Sequence, residues 1–230
     1  MEFIIITLII LISLIWLKII YKINIKRLKQ MGEENQELDK MVEKYPSNIE
    51  ICKKILKKLN NESVKIEEDN QSDTCLYIVV SNKIKIANLR NSFTRIQTIA
   101  HECLHSIQDK RILLFNFIYS SIYIMFFYFI VVLGILGKIQ NEMLFLSIYI
   151  LLCFIYYFVR SYLENDAMIK AKFLSKEYMK DENISNNEEI EKIVNGYDKV
   201  TNLGVKVVNY NLFFTISIKI IILSLIFYFR

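Results

Sequence analysis

The 230-residue chain has one proline and five glycines. So few chain breakers argue against a loop-rich β-sandwich and favour long helices. Its four cysteines, Cys52, Cys75, Cys103 and Cys153, fall at no metal-ligand spacing. Reduced, buried thiols are therefore expected rather than disulfides. Histidine is scarce as well: His101 and His105 are the only two. Charge is almost absent from four long runs. Phe3–Leu17, Ile112–Leu136, Met143–Val159 and Leu212–Phe229 cover roughly 75 residues and hold one charge, Lys219. An ordinary soluble globule is excluded.

What remains is a chain split into apolar and charged parts. Hydrophobic residues make up 53% and mean hydropathy is +0.30, yet 23% of residues are charged. Each apolar run approaches the ~20 residues that an α-helix needs to cross a bilayer core. The fold expected is a mostly α membrane protein with about four transmembrane helices and a small α+β zincin-like catalytic region carrying a β-hairpin. By its flanks the first run is expected to be a retained anchor rather than a signal peptide. No basic region precedes it, and Lys18, Tyr21 and Lys22 stand where a small-residue cleavage site would fall. In the last run, Lys219 must face a partner helix or snorkel.

The basic residues set an orientation. Lys18, Lys22, Lys26, Arg27 and Lys29 crowd the exit of the first run, Lys110 and Arg111 precede the second, and Arg160 follows the third. Lys138 alone marks the short link between the second and third. By the positive-inside rule, residues 25–111 and 160–211 are cytoplasmic in a multi-pass cell-membrane protein. The net charge of +5 is then a signal of orientation and of contact with the lipid bilayer. No basic stripe carries aromatics, so no nucleic acid partner is expected.

Six segments follow: an anchor over 1–24, a charged helical segment over 25–74, and a hairpin with a histidine-bearing helix over 75–111. A transmembrane hairpin over 112–159, cytoplasmic helices over 160–211 and a last transmembrane helix over 212–230 complete the chain. Ser47 and Glu50 form an S-x-x-E capping box, after which Cys52, Ile55, Leu56 and Leu59 share one face. The β-rich run Cys75–Val80, the turn at Ser81-Asn82 and the alternating Lys83–Ile86 predict a β-hairpin. The pattern turns helical from about Ser92, a candidate N-cap, to Asp109. A second S-x-x-E box, Ser185 to Glu188, opens a helix expected to end near Gly204.

The two histidines flank Glu102 in TIAHECLHSIQD. Positions i and i+4 share a helix face, so both imidazoles can hold one metal ion. Glu102 projects at a neighbouring angle and can reach a water beside the metal without being a ligand. This is the H-E-x-x-H arrangement of zinc hydrolases, in which zinc acidifies water and the glutamate takes its proton. Two randomly placed histidines would stand four apart roughly once in a hundred chains. On a helical wheel Phe93, Ile96, Ile99, Ala100, Cys103, Leu104 and Ile107 gather on one side. Thr94, Gln97, Thr98, His101, His105 and Gln108 gather on the other, so the histidines do not belong to the apolar core face.

With no third histidine, the third ligand must be acidic. The second apolar run begins just after the motif, and the third returns the chain at Ser161-Tyr162-Leu163-Glu164. Along unbroken helices His105 lies about 10 Å before Ile112 and Glu164 about 8 Å beyond Val159, so their depths match. Asp109 and Asp166 compete for the role. Ala167 and Ala171, on the side of Glu164, allow close approach to the zinc helix.

The pattern AHECLHSIQD, a hydrophobic hairpin, then ENDAMIKA resembles the YugP-like neutral zinc metallopeptidases of bacterial membranes. Ala100 to Gln108 fits the first part of their pattern, and Glu164, Ala167 and Ala171 fit the second, over roughly residues 75–230. Met168 stands where that family tends to have serine, and Cys103-Leu104 where Val-Gly is common. The resemblance implies a membrane gluzincin that binds Zn2+ through His101, His105 and Glu164, with Glu102 as catalytic base. A zinc endopeptidase acting on membrane-associated polypeptide is the function expected. A catalytically silent membrane adaptor with a structural zinc is the alternative, against which Glu102 speaks, since a structural site needs no base. Intramembrane proteolysis ranks low, because Asp109, Lys110 and Arg111 follow the motif before the second apolar run begins. Tyr178, Tyr197 and Tyr210 are candidates for an oxyanion donor. The hairpin edge is a candidate for pairing with an extended substrate.

Overall fold

The computed structural model describes residues 1–23, 35–69, 71, 72, 74–89 and 92–230. The helical reading of residues 25–34 lies outside the described residues. Among those described, the helices are α1 (Glu2–Ile20), α2 (Gln36–Glu43), α3 (Asn48–Lys58), α4 (Arg95–His105), α5 (Lys110–Leu136), α6 (Glu142–Glu182) and α7 (Asn187–Tyr228). The strands are β1 (Lys65–Asp69), β2 (Leu76–Ile78) and β3 (Lys83–Ala87). Four helices, α1, α5, α6 and α7, are long and apolar enough to cross a membrane, which makes this a membrane protein.

The chain divides into two compact units. The first comprises residues 1–23, 115–162 and 206–230. Tyr123, Phe127 and Ile130 of α5, Leu146, Tyr149 and Cys153 of α6, and Ile216, Ile220, Leu223 and Phe227 of α7 form its core. A Cβ on Gly134 would meet Ile226 and Phe227 at 3.1 Å, so glycine there lets α5 and α7 touch closely. Gly137, at φ +75°, closes α5, and the Lys138 N–H returns to the Leu133 carbonyl at 3.0 Å. Lys219 faces a partner helix. Its Nζ lies 4.4 Å from the centroid of the Tyr123 ring and 5.8 Å from that of Phe127, a cation–π arrangement that suits a lysine whose own apolar run holds no acid.

The second unit comprises residues 24–114 and 163–205. The capping box forms as expected, with the Glu50 N–H donating to Ser47 Oγ and the Ser47 N–H to Glu50 Oε2. Ile51, Cys52, Ile55 and Leu56 of α3 are buried. The predicted hairpin is present, with β2 antiparallel to β3. A third strand joins it: β1 runs parallel to β3, pairing Ile66 with Ile84, and the sheet order is β1-β3-β2. Lys65–Asp69 therefore corrects the helical reading of this part of 25–74. Two of its charges are paired across the sheet, Glu67 with Lys83 at 2.6 Å and Asp69 with Lys85 at 3.6 Å.

Four helix boundaries also differ from the sequence reading. Helix α4 starts at Arg95, with Ser92 Oγ committed to Thr94, and stops at His105 instead of running to Asp109. The stop is tertiary in origin. Asn61 Nδ2 donates to the Ser106 carbonyl and to Ser106 Oγ, and Ser106 Oγ donates to the Cys103 carbonyl. The cap of α7 is Asn186, which exchanges hydrogen bonds with Glu189, one residue beyond the Ser185–Glu188 pair. Helix α7 does not end near Gly204 but continues to Tyr228. A helical glycine costs only about 1 kcal/mol, which an otherwise strong helix sustains.

Candidate metal centre

Helix α4 buries Ile96, Ile99, Ala100 and Cys103 completely. This fixes its rotation. Its opposite side carries His101 and His105 toward the part of α6 where Ala167 and Ala171, both fully buried, admit a close neighbour. Glu164 of that helix completes the group. The two Nε2 atoms are 3.0 Å apart, and Glu164 Oε2 lies 3.4 Å from His101 Nε2 and 3.7 Å from His105 Nε2. The imidazoles stand edge to face at 89°. Zinc held at about 2.0–2.1 Å by tetrahedral ligands separates neighbouring donor atoms by about 3.3–3.4 Å, a value these three separations straddle. The three residues are thus able to hold a metal ion.

The electrostatics favour a cation. His105 closes α4, so the negative end of the helix dipole points at the cluster. Burial works against a charged His105 imidazole, but the hydrogen bond and charge of Glu164 and the charge of Glu102 outweigh it and hold its pKa above the ordinary value. Side-chain exposures of 17%, 11% and 14% for His101, His105 and Glu164 leave the group reachable from solvent.

Glu102 lies outside the ligand cluster. It is buried, and its Oε2 accepts the backbone N–H of Tyr77 at 2.6 Å. This donor belongs to the edge strand β2, so the hairpin and the histidine helix meet at the glutamate. Two of the competing acids have other work. Asp109 is exposed and accepts the Arg111 N–H at 2.8 Å, capping α5. Asp166 pairs with Lys170 at 2.5 Å and accepts from Gln108. Among the tyrosines, Tyr197 is fully buried and donates its hydroxyl to the Phe93 carbonyl at 3.0 Å. Tyr178 is buried against Tyr45. Tyr210, stacked on Phe214, belongs to the other unit.

Two contacts lay beyond the sequence reading. A backbone donor such as Tyr77 N–H has no signature in a sequence. Gln108 bonds His105 and stood on the polar side of the wheel, which was its one signal. Cys52, Cys75, Cys103 and Cys153 are free and buried, as expected. Burial pushes the Cys75 thiol up to about 11 and the Cys103 thiol well above its ordinary value, so neither is a nucleophile. No protein-family model, no curated protein and no solved structure matches the chain.

Proposed function

We propose that the protein is a membrane-anchored zinc endopeptidase of the cell membrane, with its site at the cytoplasmic face. The observation that carries this reading is a division of labour: His101 and His105 of α4 and Glu164 of α6 gather at ligand spacing, and Glu102 of α4 is not among them. The implied likeness to YugP-like metallopeptidases supports the same assignment. Bound zinc supplies Lewis acidity, which acidifies water and polarises a carbonyl. Glu102 takes the proton of the attacking water and returns it to the leaving nitrogen. An extended polypeptide would lie beside the β2 edge next to Glu102, which suits membrane-associated or misfolded substrates of varied sequence.

The Tyr77–Glu102 hydrogen bond favours a second reading, an adaptor in which zinc is structural and Glu102 merely ties hairpin to helix. Glu102→Gln separates the two. As a peptidase, the variant should bind about one zinc per chain and lose at least roughly a hundredfold in casein or self-cleavage, the lower range for removing a general base. Wild-type-like cleavage by the variant would sink the mechanism.

Orientation has its own test. The native cysteines are all buried, so an impermeant thiol reagent meets little background. Added from outside intact cells, it should label Gln140→Cys, in the exposed link between α5 and α6, and miss Asn187→Cys. Labelling of Asn187→Cys would place the site on the outer side.

A further inference from the structure

We infer that Gln108 is a positioning residue that fixes the tautomer of His105 and ties the two ligand-bearing helices together, an inference that rests on the metal-centre reading above. A glutamine amide has one acceptor oxygen and two N–H donors, and which end is which must be deduced from its neighbours. Here the neighbours decide. Gln108 Nε2 lies 2.9 Å from the Leu163 carbonyl oxygen and 3.1 Å from Asp166 Oδ2. A carbonyl can only accept, and Asp166, paired with Lys170 at 2.5 Å, is an acceptor as well. Turning the amide over would set its oxygen against both. The oxygen therefore faces His105, where Oε1 is 2.8 Å from Nδ1.

The consequence reaches the cluster. Beside an acceptor, Nδ1 of a neutral His105 must carry the proton. Its Nε2 then keeps the lone pair, and Nε2 is the atom that faces His101 Nε2 and Glu164 Oε2. Of the two neutral tautomers, Gln108 thus selects the one that leaves Nε2 able to bind a metal. Gln108 can do this because the turn that carries it is itself fixed, with Ser106 buried and held by Asn61 and by the Cys103 carbonyl. Its two donated bonds land on Leu163 and Asp166, one residue before and two after Glu164. The same amide therefore sets the distance between α4 and the third ligand.

The test begins with the metal-free full-length protein in detergent, with its histidines labelled with nitrogen-15. Because the chain has only two histidines, two-bond proton–nitrogen spectra resolve both imidazoles. At a pH where both are neutral, His105 should be protonated on Nδ1. Gln108→Leu should lose that preference and weaken zinc binding, read by chelator competition, by about 10–100-fold. Gln108→Glu keeps an acceptor for Nδ1 but loses both donors. It should retain the tautomer and still bind zinc less tightly than wild type. A wild-type His105 protonated on Nε2 overturns the inference, as does a Gln108→Leu protein with unchanged tautomer and affinity. A wild type with the expected tautomer but no zinc affinity sinks the metal reading and leaves the role of Gln108 in selecting the tautomer supported. Should Gln108→Leu fail to fold, the wild-type tautomer and Gln108→Glu still decide.

Discussion

Glu164→Ala should purify without zinc, where the wild type carries about one ion per chain. The variant keeps both histidines but reduces three ligands to two. Glu164 Oε2 sits within 3.7 Å of both Nε2 atoms, and no other carboxylate joins that group among the described residues. The neighbouring acids supply the contrast. Asp166 acts on the cluster through Gln108, so Asp166→Ala should keep zinc with affinity lowered by at most about 10–100-fold. Asp109→Ala should bind zinc like wild type and lose about 0.5–2 kcal/mol of stability with its cap. Metal analysis of the three purified proteins decides. Zinc retained by Glu164→Ala and lost from either aspartate variant would reverse the assignment.

The second large effect concerns Arg95, the first residue of α4. A cation in the first helical turn opposes the helix dipole, and this one is also only 4% exposed. The guanidinium accounts for both. Nη1 donates to the Pro46 carbonyl and to Asn48 Oδ1, at 2.9 and 3.0 Å. Nη2 donates to the carbonyls of Val42 and Tyr45, each at 2.8 Å. Arg95 thereby satisfies carbonyls left over at the end of α2 and in the link to α3, and so holds the histidine helix at its start. Arg95→Ala strands three acceptors, since the Val42 carbonyl keeps the Tyr45 N–H, and each costs about 1–3 kcal/mol when buried and unpaired. Relaxation makes these costs less than additive, and a total near 4 kcal/mol is expected. For a chain of this size that lowers the melting temperature by roughly 10 °C. Arg95→Lys should recover only part of this, because one ammonium cannot reproduce the planar fork. Thermal unfolding in detergent measures both, and melting of Arg95→Ala within about 2 °C of wild type would overturn the account.

Features whose causes are local could be read directly from the sequence. The Ser47–Glu50 box, the hairpin and the helical spacing of His101 and His105 each depend on residues a few positions apart. Glu164 lay further off, yet the two apolar runs between it and the histidines gave a way to count its position. Features with distant causes escaped. Lys65–Asp69 reads as a charged helix because its partner, β3, lies beyond an intervening strand. The end of α4 depends on Asn61, and the sequence after His105 gives no sign of it. Arg95 did carry a signal, a positive charge at the wrong end of a helix, but only its acceptors explain it. The Tyr77 N–H carries none.

Lys219 bears on how the last helix enters a bilayer. A lysine at the centre of an isolated membrane helix costs about 2.5–3.5 kcal/mol on insertion scales. The run in which it lies, Leu212–Phe229, holds no acid to offset that cost. What receives it is the ring of Tyr123, which also stacks with Tyr149 and Tyr156 at centroid distances of 5.4 and 4.8 Å. All three tyrosines belong to helices that leave the ribosome before α7 does. The rings that receive the charge are therefore synthesised ahead of the helix that brings it, so α7 meets in them a partner that an isolated helix would lack.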